Sequence, residues 1–66
     1  MKRANIFYCD GELCVRLEKD GETFGYLAMF DHNAEYAQDA CINWEEGIMT
    51  EDNPHIQREL PRGVHD

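Results

Sequence analysis

The residue types able to do chemistry are few. There are three cysteines (Cys9, Cys14 and Cys41), three histidines (His32, His55 and His65) and fourteen carboxylates, with no serine. The missing serine removes every serine-nucleophile mechanism. Cys9 and Cys14 form a C-x4-C pair, a spacing found in zinc sites, and His32, Cys41, His55 and His65 are candidate further ligands. A structural zinc site usually draws on a second closely spaced pair, which this chain lacks. An odd number of thiols, with no leader-like apolar stretch at the start, reads instead as reduced cysteines of a cytoplasmic protein packed as small hydrophobes. Acid–base catalysis needs a carboxylate or histidine held in a cleft with a shifted pKa. Among so many carboxylates, close pairs arise by chance. His55 near Asp52 is the nearest approach to a proton-transfer pair, and no Gly-rich phosphate loop or nucleophile motif accompanies it. The expectation is a non-enzymatic protein with no cofactor and no metal.

Charge is the stronger signal. Six Lys and Arg against fourteen Asp and Glu leave a net charge of −8. From Asp20 to Gln57 there are nine acids and no Lys or Arg. Such a chain is poorly suited to neutralise phosphates, so direct nucleic-acid binding and attraction to an anionic membrane surface are both disfavoured. No apolar run approaches the roughly 18 residues of a membrane span. An uncompensated acidic surface suits a basic protein partner, and basic proteins in a cell are mostly those that handle nucleic acid. Asp31, Glu35, Asp39, Glu46, Glu51 and Asp52 are the candidate partner-binding residues.

The elements that must position these side chains follow from turn chemistry. Asp-Gly-Glu occurs at residues 10–12 and again at 20–22. Asp-Gly is a preferred pair for a type I′ turn, so each reads as a tight hairpin, joining strands at about 4–9, 12–19 and 22–30. Two-residue turns pair Tyr8 with Leu13, Ile6 with Val15, Leu17 with Phe24 and Val15 with Tyr26. One face then carries Ile6, Tyr8, Leu13, Val15, Leu17, Phe24, Tyr26, Ala28 and Phe30, all apolar or aromatic. A helix over about 33–46 follows, capped by Asp31 or Asn33 and stopped at Gly47, with Ala37, Ala40, Cys41, Trp44 and Ile48 on one side. Asn53 and Pro54 are suited to open a short helix or turn up to Leu60. The expected fold is α+β: a three-stranded antiparallel meander with one helix on one face, a single domain over residues 1–60, and a flexible tail at 61–66.

The second sheet face is then left open. The same register gathers Phe7, Cys14, Leu27 and Met29 there as an apolar row, a candidate surface for self-association as a homodimer or for a secondary partner interface. Alternatively, Ile48, Met49, Ile56 and Leu60 fold back to cover it.

With its short acidic chain, Asp10-Gly11 and Asp20-Gly21 turns, and helix bearing Ala37, Ala40 and Trp44, the sequence resembles small phage-encoded or mobile-element proteins that inhibit host machinery. Anti-CRISPR proteins and inhibitors of bacterial RNA polymerase are among these. The resemblance is architectural and covers about residues 4–48. It implies an inhibitor that occludes or mimics nucleic acid at a basic surface of host machinery, acting in the host cytoplasm. The alternatives are a homo-oligomeric structural or accessory protein and a small Cys/His zinc-binding module.

Overall fold

A computed structural model of the chain describes residues 1–61. Strands β1 (Lys2–Cys9), β2 (Glu12–Lys19) and β3 (Glu22–Ala28) form an open antiparallel sheet in the order β1-β2-β3, and helix α1 (Ala34–Glu45) packs across β1 and β2. This is the expected β-β-β-α arrangement. Both turns carry two successive residues of positive φ, 54° and 79° at Asp10-Gly11 and 54° and 85° at Asp20-Gly21. That is the type I′ requirement, which Asp tolerates and Gly meets without steric cost.

The first hairpin keeps the expected register from Cys9 opposite Glu12 and carries it two residues past the expected start of β1, to Lys2 opposite Lys19. The second starts as expected, with Lys19 opposite Glu22 and Glu18 opposite Thr23, and then slips. Leu17 faces Gly25 rather than Phe24, and Val15 faces Leu27 rather than Tyr26. Phe24 is thus the extra residue of a β-bulge. Its ring stacks on Trp44, with centroids 5.4 Å apart, and the Arg58 guanidinium sits 4.4 Å from its centroid.

The bulge reverses the facing of everything beyond it. Leu27 and Met29, expected on the open face, are buried in the core under α1. Tyr26, expected in the core, meets Phe7 edge-on across the opposite face, at 6.2 Å between centroids. The row Phe7, Cys14, Leu27, Met29 is therefore split between the two sides. Gly25 is the physical reason a bulge serves here: a Cβ on it would lie 2.6 Å from the Ile56 Cγ2 and 2.8 Å from the Gln57 carbonyl oxygen. The absent side chain lets the C-terminal segment dock directly against β3.

The core consists of Leu13, Val15, Leu17, Leu27, Met29, Ala37, Ala40 and Trp44. Ala37 and Ala40 are small enough to bring α1 close to the sheet. Trp44 is fully buried, and its indole N–H donates to the Glu18 carbonyl at 3.0 Å, satisfying both groups at the irregular point of the ladder. Ile6 and Tyr8 lie on the helix side yet remain 36% and 70% exposed, so that part of the expected face is not covered.

Asn33 caps α1 by accepting the Tyr36 amide at 3.0 Å, and Gly47 ends it at φ 81°. Ile48 lies past this stop and is exposed, outside the core stripe. Among the described residues no helix forms after Asn53. Its side-chain oxygen takes the His55 amide at 2.8 Å, a local bond that competes with helical pairing. The chain then runs beside β3, where Gln57 and Tyr26 exchange two backbone hydrogen bonds of 2.7 and 2.8 Å. It next crosses to β1, where the Cys9 thiol donates to the Pro61 carbonyl at 2.8 Å. Pro61 is buried, so it is no frayed end; residues 62–66 of the expected tail lie outside the described residues. Of the expected cover for the second face, Met49 and Ile56 pack instead against the main core and Leu60 stays exposed.

Candidate protein-interaction surface

At roughly 100° per residue, Glu35, Asp39, Ile42 and Glu46 fall within about 60° of one another on α1, opposite buried Ala37, Ala40 and Trp44. The three acids are exposed, and Ile42 among them is half-exposed at 49%. The result is an acidic stripe around one apolar side chain. Among the described residues no ion pair involves Asp31, Glu35, Asp39 or Glu46. Glu35 in the first turn is favourably placed against the helix dipole, whereas Glu46 at the C-cap is not, and no basic residue occupies the last turn.

The other three candidate acids sit apart from this stripe. Glu51 is held by the Lys19 ammonium at 2.8 Å, with Lys2 at 3.9 Å. The Lys19 hydrogen bond lowers the Glu51 carboxyl below its ordinary pKa and raises that of Lys19. This corrects the expectation of an acidic set with no nearby cation. Asp52 accepts from the Thr50 hydroxyl, and among the described residues no hydrogen bond joins it to His55. Asp31 lies exposed in the connection between β3 and α1. Sequence reasoning missed Ile42, whose spacing of seven from Glu35, three from Asp39 and four from Glu46 was the available signal.

The thiols divide between the two sides of the sheet. Cys9 and Cys14 are neighbours on the second face, and Cys41 packs against the main core. Burial raises the Cys14 pKa, and the adjacent Cys9 adds to the rise. Burial and then Glu45 raise that of Cys41. Both shifts disfavour the thiolate needed for metal binding or nucleophilic attack. Among the described residues no group of three or more His, Cys, Asp or Glu side chains is placed to hold a metal ion. A cleft of about 490 Å³ opens between β3, α1 and the segment after the helix. Its lining includes His32, which stacks on Tyr36 at 3.9 Å, together with Asp39 and His55. Among the described residues no hydrogen bond links His32, Asp39 and His55 into a relay. No described helix is long and apolar enough to cross a membrane.

No protein-family model, curated protein or solved structure matches this chain.

Proposed function

We propose that this protein binds a basic, nucleic-acid-handling protein through the outer face of α1 and there occludes or mimics nucleic acid. The supporting observation is the uncompensated stripe Glu35, Asp39, Glu46 framing half-exposed Ile42. Its acids steer a cationic surface into contact, and the apolar side chain supplies area to desolvate once contact is made. Asp31 and Asp52 lie apart from the stripe and add to the net negative charge, while Glu51 is already committed to Lys19.

The test is affinity capture of bacterial proteins on the immobilised full chain, followed by displacement with duplex DNA. Basic nucleic-acid-binding proteins should be retained at low salt and released by the DNA. The Glu35→Lys, Asp39→Lys double variant should retain far less of them while keeping its fold, and the salt dependence of the remaining binding should shrink. Equal capture by wild type and double variant, or bound proteins that DNA does not displace, would overturn the proposal.

A further inference from the structure

We infer that two copies of this chain associate through β1, antiparallel and edge to edge, to form one continuous six-stranded sheet. The two edges of the sheet differ. The β3 edge is partly closed by Gln57, which pairs with Tyr26. On β1 the Met1 carbonyl bonds inward to the Asp20 amide, while the Ala4 amide turns outward to the Glu45 carboxylate at 3.1 Å. Backbone polarity alternates along a strand, so Ile6 and Tyr8 also direct their amides and carbonyls outward. Among the described residues no hydrogen bond from outside the sheet reaches either one. An open edge is commonly protected by a charge, a proline or a covering element. Here it presents exposed Ile6 and Tyr8.

Charge argues for a second copy as the occupant. Most faces of a chain of net charge −8 repel a like molecule. Residues 1–9 contain no acid and carry Lys2 and Arg3. Glu45 also limits the register. It occupies the Ala4 amide, so the longest pairing within β1 that leaves this contact intact is centred on Phe7. Ile6 then faces Tyr8 of the second copy, and Tyr8 faces its Ile6, with four backbone hydrogen bonds. Directly paired residues share a face, so the exposed Ile6 and Tyr8 side chains of both copies come together on the helix side. The two Phe7 rings meet on the other side. Lys2 and Arg3 are brought toward the turn before β2 of the second copy, where Glu12 stands. The contact is isologous, as a two-fold dimer requires.

Sedimentation equilibrium of the full chain, from micromolar to millimolar concentration, should show a reversible monomer–dimer exchange. In parallel, amide exchange at Ile6 and Tyr8 should slow as concentration rises. Tyr8→Lys, at a site 70% exposed, should fold normally and weaken dimerisation by at least about tenfold. A wild type that stays monomeric throughout would overturn the inference. So would a dimer that survives Tyr8→Lys with the Ile6 and Tyr8 amides unprotected, or protection of those amides only by an added different protein. Acid reversal on α1 should leave dimerisation unchanged, which separates failure of this inference from failure of the proposed partner surface.

Discussion

The two hairpins begin from the same Asp-Gly turn and end as different structures. The first runs eight paired positions without interruption; the second slips after two. A turn therefore sets register only for the positions it directly constrains, and packing decides the rest. In the first hairpin, no segment among the described residues is bonded along the outer edge of β1 beyond Ala4. In the second, β3 must accept Trp44 of the helix on one side and Ile56 and Gln57 along its edge. The bulge meets both demands by keeping Phe24 against Trp44 while presenting bare Gly25 to the C-terminal segment.

If that account holds, the strongest perturbation of the second hairpin is made from the helix. Trp44 stacks on Phe24 and bonds the Glu18 carbonyl, so it packs on the bulge and satisfies its free backbone group. Trp44→Ala should cost about 3–5 kcal/mol, comparable to the whole stability of a domain this size, and leave the protein largely unfolded in thermal denaturation. Trp44→Phe keeps most of the stacking and leaves the Glu18 carbonyl unpaired, at about 1–2 kcal/mol. Hydrogen exchange in that milder variant should accelerate near Glu18 and Gly25 and change little between Ile6 and Val15. Uniform acceleration across both hairpins would show that they do not differ in the way argued.

A matched pair of substitutions sharpens the same contrast. Ala4 and Gly25 flank Leu17 from the two neighbouring strands. Gly25→Val forces a side chain against Ile56 and the Gln57 backbone and should destabilise by about 1–3 kcal/mol, releasing the Tyr26–Gln57 pairing. Ala4→Val, on the part-buried outer strand, should cost less than Gly25→Val. Urea denaturation of the two variants measures the difference, and equal losses would count against a special role for Gly25.

Gly25 also shows where sequence reading stopped. The register of the first hairpin was legible because β1 and β2 alternate in a single consistent way; the earlier start of β1 at Lys2 and the exposure of Ile6 and Tyr8 were not. β3 offers two apolar sets, Phe24, Tyr26 and Ala28 or Leu27 and Met29, and alternation alone does not choose between them. A glycine inside a strand is a known mark of a bulge or a close backbone approach, and here it is both. The helix and its Gly47 stop were legible because caps are local, while Asp31 and Asn33 both offered a start and the structure uses Asn33. The segment after it was not, since Asn53 and Pro54 suit either a helix start or a turn, and the outcome rests on Gln57 finding β3. Glu35, Asp39 and Glu46 were picked out by charge together with Asp31, Glu51 and Asp52, without being separated as one helix face, whereas Glu51 meeting Lys19 required the fold to bring two distant segments together.

The smallest expected effect concerns acid and the turn end of the second hairpin. There the amino terminus holds the Asp20 carboxylate and Lys19 holds Glu51, and each carboxyl is lowered from its ordinary pKa chiefly by that hydrogen bond. A carboxyl whose folded pKa is depressed contributes stability that is present above its unfolded pKa and is lost as pH falls through the folded value. The contribution should therefore be intact at neutral pH and fade from the ordinary carboxylate range downward. Both pairs are exposed, so each is weak and sensitive to salt. Amide shifts at Lys19, Asp20 and Glu51 should move together on acidification at low salt, with less movement in high salt. Asp20→Asn with Glu51→Gln should flatten the low-pH limb of a stability-versus-pH curve relative to wild type. An unchanged limb in the double variant would assign the acid sensitivity to other carboxylates.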